Sequence, residues 1–193
     1  MPQIRSLCVY CGSSSAVDEK YRAAATELGA SLAAAGIELV YGGGRVGLMG
    51  LLADAVLAGG GRVVGIIPAR LRDAELAHHG ASELVIAGSM HDRKRLMAER
   101  ADAFAVLPGG TGTLDETFEI LTWRQLGLHD KPIFLVDVAG YWRPLIALLD
   151  HIVSRGFASA LVPQILEIVP SVPALMTLLA EVSGGDKTRS ELL

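Results

Sequence analysis

Hydrophobic positions along the chain follow two alternating rhythms. Short apolar runs rich in Val, Ile, Leu and Tyr alternate from end to end with longer stretches whose apolar residues recur at helical spacing. The runs predict strands at Ile4–Tyr10, Glu38–Tyr41, Arg62–Ile67, Glu83–Ala87, Ala103–Leu107, Pro132–Val136 and a short Ile165–Val169. The stretches between them predict helices at Asp18–Ala35, Gly47–Ala58, Met90–Arg100, Thr113–Leu126, Trp142–Arg155 and Val172–Glu181. Such alternation predicts an α/β, Rossmann-like three-layer fold, with a parallel sheet and helices on both faces. The predicted connections are short, and no low-complexity tract or internal repeat interrupts them. Residues 1–182 therefore read as one domain, and the polar tail 183–193 has too few apolar residues to order it.

In an open parallel sheet, ligands bind beyond the C-terminal ends of the strands. Three predicted strands end in glycine-rich or hydroxyl-rich turns, Cys11-Gly-Ser-Ser14, Gly42-Gly-Gly-Arg-Val-Gly47 and Pro108–Thr113, which should line one cleft. Without a Cβ, Gly43, Gly44, Gly110 and Gly112 let backbone amides approach a ligand and adopt positive φ at little cost. The longest polar interruption, Pro68–Ser82, is expected to be a mobile loop near that cleft. The apolar residues Trp123, Leu126 and Trp142 belong either to the core or to an interface.

Composition narrows the partners. A formal charge of −4 and a pI near 5.7 argue against a duplex nucleic acid, because no excess of cations is available to replace counterions. No apolar run reaches the roughly 18–20 residues of a membrane span, and the N-terminus leads directly into a strand pattern, so a cytoplasmic protein without a membrane partner is expected. Cys8 and Cys11 form a Cys-x-x-Cys within an apolar run rather than at the start of a helix, which fits neither a thioredoxin-like site nor, without histidines at suitable spacing, a metal site.

Gly42–Gly47 has the spacing Gly-x-Gly-x-x-Gly. The next strand, however, ends in Ile66-Ile67-Pro68 without the acid that would grip a dinucleotide ribose, which speaks against NAD. The turn Leu107–Glu116 is more informative. It follows an apolar strand and opens a helix, leaving unpaired N–H groups at the positive end of the helix dipole, where a phosphate binds. Two readings of Glu116 stand side by side. Thr113-Leu-Asp-Glu116 has the form of a capping box; alternatively, the carboxylate addresses a part of the ligand that becomes positively charged, as ribosyl C1′ does in N-glycosidic cleavage. Glu119 shares the helix face of Glu116, whereas Asp115 is turned about 100° away and reads as a solvated acid. Arg93 and Lys94, at the start of the preceding helix, could neutralise a phosphate and hold Glu116 ionised. Arg95 reads as part of an exposed face, and Met49 as packing.

These residues carry a resemblance. Met90-His-x-Arg-Lys94 followed by Pro108-Gly-Gly-x-Gly-Thr-x-x-Glu116 resembles the paired signature of the Lonely Guy (LOG) family, the cytokinin riboside 5′-monophosphate phosphoribohydrolases. The likeness extends to Cys11-Gly-Ser-Ser14, Tyr41-Gly-Gly-Gly44, Val46-Gly-Leu-Met-Gly50, Thr122-Trp123 and His129-Asp-Lys-Pro132. It implies hydrolysis of a nucleoside 5′-monophosphate to free base and ribose 5-phosphate by a homodimer that uses no cofactor. Arg93 and Glu116 match the catalytic pair. Gly109, Gly110, Thr111, Gly112 and Thr113 match the nucleotide-binding turn, with Lys94, Glu75, Met90 and Thr122 as further contacts; Gly43 and Gly44 are expected to assist at the phosphate. Glu75 lies where Leu71–Leu76 departs from the family pattern. The lysine decarboxylase label sometimes given to such proteins has no support in these residues, since a pyridoxal phosphate enzyme needs a Schiff-base lysine and a partner for the pyridinium nitrogen. The rival reading is a non-catalytic nucleotide carrier, like the molybdenum-cofactor carriers that share the Pro-Gly-Gly-x-Gly-Thr turn.

Overall fold

The structure is a computed structural model and describes residues 4–72 and 76–184. Seven strands form one sheet: β1 (Ser6–Tyr10), β2 (Glu38–Tyr41), β3 (Val63–Pro68), β4 (Glu83–Ala87), β5 (Ala103–Val106), β6 (Ile133–Val136) and β7 (Leu166–Val169). Their spatial order is β4-β3-β2-β1-β5-β6-β7, and every pairing is parallel. The helices are α1 (Glu19–Ala35), α2 (Gly47–Ala58), a single turn α3 (Ala69–Leu71), α4 (Met90–Arg100), α5 (Thr111–Gln125), α6 (Arg143–Ser154), a short α7 (Val162–Ile165) and α8 (Val172–Gly184).

Both faces of the sheet are covered, which is why the strands read as apolar runs rather than as alternating ones. Successive residues of β1 show the division. Leu7 and Val9 enter a core shared with α1, α2 and α8, while Cys8 and Tyr10 enter a second core built with α4, α5 and α6. At the heart of the sheet, Leu7, Cys8, Phe104 and Phe134 have no exposed surface. Burying a side chain of that size contributes about 1.5–3 kcal/mol each.

The order of the strands positions the site. From β1 the chain winds outward to β4; it then returns beside β1 as β5 and winds the other way. The turns after β1 and β5 consequently part toward opposite faces and leave a crevice between them. Their bases are tied together, with the Gly12 N–H donating to the Pro108 carbonyl at 3.1 Å.

Several expectations are corrected in detail. The helix expected to start at Thr113 starts at Thr111, with Gly110 as its N-cap. The segment 68–82 does not hang free where it is described: the Arg45 and His78 N–H groups donate to the Leu76 and Gly43 carbonyls at 2.9 Å each, pinning Leu76–His78 to the glycine turn after β2. Trp142, 3% exposed, is core, whereas Leu126 is 68% exposed. The last helix extends to Gly184, into the expected tail, and 185–193 lie outside the described residues.

Candidate functional site

Thr111, at the start of α5, and Met90, at the start of α4, both follow strands that end at the same edge of the sheet. The N-terminus of α4 is fixed by Ser89, whose hydroxyl accepts from the Asp92 N–H at 3.0 Å. One turn in, Arg93 and Lys94 are both buried, each 8% exposed. Arg93 runs beneath the sheet edge. Its Nε donates to the Ile66 carbonyl, Nη2 to the Gly42 carbonyl and Nη1 to Glu116 Oε1, each at 3.0 Å. The guanidinium thus joins the ends of β3 and β2 to α5. Gly42 is required for this: a Cβ there would lie 1.8 Å from Arg93 Nη2.

Glu116 is 9% exposed and sits in the second turn of α5. Because the helix begins earlier than expected, Thr113 is not its N-cap and the capping-box reading of Glu116 is overturned. The carboxylate pairs with Arg93 instead. Burial pushes its pKa above the usual 4.5; the charge of Arg93 pulls the other way without overcoming burial, and Asp115 adds to the rise. Arg93 and Lys94 thus favour the ionised carboxylate, as expected of them, but burial is the larger influence on Glu116.

Above this pair lies a cavity of about 250 Å³ lined by Cys11, Gly12, Ser13, Met49, Arg93, Gly110, Thr111, Gly112, Thr113 and Glu116. The unpaired N–H groups that open α5 and the carboxylate of Glu116 share this one space, an anion-attracting end beside a buried acid. Gly109 lies beneath the rim, packed so closely on Thr113 that a Cβ would come within 2.0 Å of Thr113 Oγ1. Gly110 and Gly112 face open space, and neither has the positive φ expected of it.

The other expected residues are distributed around this centre. Lys94 Nζ does not line the cavity; it bridges Asp115 Oδ2 at 3.0 Å and Glu119 Oε1 at 3.1 Å. Burial opposes its charge, but hydrogen bonds to those carboxylates outweigh it and the ammonium pKa is raised. Glu119 is thus Lys94's partner rather than a second carboxylate of the cavity. Gly43, with φ +74°, packs on the Ile67 side chain and the Ile66 backbone, and Gly44 packs on Met49; neither lines the cavity. Met90 is 46% exposed at the start of α4. The Thr122 hydroxyl donates to the Phe118 carbonyl within α5. Glu75 lies outside the described residues. Burial raises the pKa of the Cys8 and Cys11 thiols well above the ordinary value, against thiolate chemistry. Among the described residues no cluster of His, Cys, Asp or Glu could hold a metal ion.

Cys11, Gly12 and Ser13 line the cavity as the turn after β1 was expected to, whereas the lining role of Met49, read from the sequence as packing, was missed. Also missed were the carbonyls of Ile66 and Gly42, since a backbone acceptor leaves no mark in side-chain chemistry.

Comparisons with known proteins agree with this architecture. The model of a family described as "possible lysine decarboxylase" matches residues 49–179. The chain is 46% identical to the probable cytokinin riboside 5′-monophosphate phosphoribohydrolase LOGL9 of Oryza sativa subsp. japonica, over 93% of this chain and 79% of that protein. It is 44% identical to the cytokinin riboside 5′-monophosphate phosphoribohydrolase LOG1 of Arabidopsis thaliana, over 90% of this chain and 82% of that protein. Among solved structures, the molybdenum cofactor carrier protein of Chlamydomonas reinhardtii superposes with a TM-score of 0.71 at 16% identity, covering 94% of this chain and 98% of that one. The molybdenum cofactor binding protein of Rippkaea orientalis gives 0.69 at 20% identity with the same coverage. At such identities the likeness shows the fold alone, whereas the family model and the two plant relatives, each aligned over most of the chain, show that it belongs to the LOG family.

Proposed function

We propose that the protein hydrolyses the N-glycosidic bond of N6-modified adenosine 5′-monophosphates, releasing the free base and ribose 5-phosphate. The observation that carries this reading is the buried Arg93–Glu116 pair, 3.0 Å apart, in the same cavity as the N-terminus of α5. The 5′-phosphate binds the N–H groups of Gly110–Thr113, where the helix dipole favours an anion. The ribose then extends toward Glu116. As the bond from C1′ to the base nitrogen breaks, positive charge develops on the ribosyl ring and the carboxylate stabilises it. Glu116 next takes a proton from the attacking water, whose oxygen bonds to C1′, while the base leaves protonated from solvent. A carboxyl whose pKa is raised by burial is a better proton acceptor than an ordinary one, which suits this task. Arg93 spends three donors on Ile66, Gly42 and Glu116, and so orients the carboxylate toward the ribose.

Lysine decarboxylation, the activity named in the family model's description, fits these residues poorly. A Schiff base forms from a neutral amine, and Lys94, the lysine beside the site, is held charged between Asp115 and Glu119. The protein acts as a homodimer in the cytosol. Leu126 and Leu128, both 68% exposed beyond α5, support the association, and two free cysteines fit a reducing compartment.

Incubation with AMP, N6-isopentenyl-AMP and adenosine, beside a Glu116→Gln variant, tests this by chromatography of the free base. Release from the monophosphates alone, lost in the variant, is expected. A nucleotide bound tightly but left intact would move the assignment to a carrier.

A further inference from the structure

The glycine turn before α5 has its carbonyls secured in sequence. Pro108 O accepts from the Gly12 N–H at 3.1 Å, and Gly110 O from the Leu114 N–H at 3.0 Å. The carbonyl between them, Gly109 O, accepts from the hydroxyl of Tyr141 at 2.6 Å, across 32 residues of chain. In a trans peptide the carbonyl of one residue and the N–H of the next point in opposite directions. Gly110 borders two cavities, one of about 270 Å³ that Tyr141 and Gly109 also line and the one above Glu116, which Tyr141 does not line; holding Gly109 O toward Tyr141 turns the Gly110 N–H away from the first and so favours the second. Neither residue of this peptide unit has a side chain of its own to fix it, and Gly110 faces open space. Were the unit to flip, a carbonyl oxygen would point where an anion is to bind.

Tyr141 is itself firmly placed. It follows a tight turn, Val138–Gly140, in which Ala139 takes the left-handed conformation at φ 53° and Gly140 at φ 75°. Its ring meets Tyr21 and Trp142 edge to face, at centroid distances of 5.4 and 4.8 Å, and Trp142 is anchored in the core and by its backbone N–H, which donates to Asp137 Oδ1 at 2.6 Å. A non-glycine residue in the left-handed region persists only where surrounding structure demands it. Here that turn delivers the phenol to the glycine turn.

We infer that Tyr141 is a positioning residue that locks the Gly109–Gly110 peptide with its N–H toward the cavity and so sets affinity for the 5′-phosphate, without taking part in bond cleavage. This rests on the reading that the α5 N-terminus holds the phosphate. Tyr141→Phe keeps the ring and its packing and removes the one hydroxyl. With the competent peptide orientation only partly populated, KM for AMP and N6-isopentenyl-AMP should rise roughly five- to tenfold while kcat stays within about twofold. The dissociation constant of inorganic phosphate, measured by calorimetry, should weaken by the same factor, and inhibition by free adenine, which lacks a phosphate, should not change. Unchanged KM and phosphate affinity, a loss confined to kcat, or equal weakening of adenine would each overturn the inference. If the wild-type protein released no base from any monophosphate, nucleotide hydrolysis would fall, and phosphate affinity in the two proteins would still decide the role of Tyr141.

Discussion

Arg93 and Lys94 are neighbours on α4, and each reaches an acid on α5, yet the two ion pairs lie in different surroundings. Arg93 and Glu116 side chains are each 10% exposed, and the guanidinium is further bound by two backbone carbonyls. Lys94 is as deeply buried at 9%, but its partner Asp115 is 60% exposed and Glu119 is 23% exposed. In the first pair both charges are desolvated, so the interaction is strong, directional and intolerant of losing one partner. In the second, water screens the carboxylates, and the lysine is a clamp between two helices at the rim. Helical geometry makes this division: consecutive residues point about 100° apart, so one step along α4 takes a charge from the cavity floor to its edge.

Removing the carboxylate's charge should have the largest effect on catalysis. Glu116→Gln is expected to lose roughly 100-fold or more in kcat, about 3 kcal/mol, while the melting profile remains that of a folded protein. Near-normal turnover by that variant would end the proposed mechanism. Arg93→Ala should combine a comparable loss of rate with a fall in stability of about 3–5 kcal/mol, measured by denaturant unfolding, because it leaves a buried carboxylate without its partner. A loss under ~1 kcal/mol, the range of a surface pair, would show that the two pairs do not differ as argued. Gly42→Ala should mimic part of this loss, since the new Cβ occupies the place of Arg93 Nη2 and must displace the guanidinium. Retention of full activity there would mean that the backbone anchors are dispensable.

The pH dependence sharpens the contrast. Burial raises the pKa of Glu116, so the ionised form is present above that raised value and lost as pH falls through it. The acid limb of kcat/KM should consequently lie above pH 4.5. For stability the sign is opposite: folding favours the protonated carboxyl, a contribution fully present below the unfolded pKa and lost as pH rises through the folded one. Arg93→Gln removes the charge that opposes burial, so the Glu116 resonance in carbon-13 NMR should titrate at higher pH than in the wild type. The smallest effect is expected at the rim, where Lys94→Met should cost about 1 kcal/mol or less and leave kcat within about threefold.

The strands and the long helices could be read along the chain because each buries a repeating apolar pattern, and that pattern is local. The meeting of Arg93 with Glu116 was legible for a related reason: both lie in short motifs near the starts of helices, where N–H groups and charges have a known direction. The start of α5 was not legible. Thr113 offered a plausible cap, but Gly110 took the position, and Thr111 and Gly112 became helical, so the local preference of one threonine yielded to a turn held from outside. The fate of Lys94 was hidden for a similar reason, since which of three acids on α5 it meets depends on how two helices pack.

What the amino-acid sequence alone carried was therefore the periodicity of its elements, the parallel α/β class, and the motifs that hold Arg93 and Glu116. Tertiary structure decided which of those side chains lose their water. The burial that raises the Glu116 pKa, the carbonyls of Ile66 and Gly42 that hold Arg93, and the hydroxyl of Tyr141 on Gly109 all come from segments distant in the chain. Their effects depend on distance and desolvation, which exist only after the sheet has brought those segments to one edge.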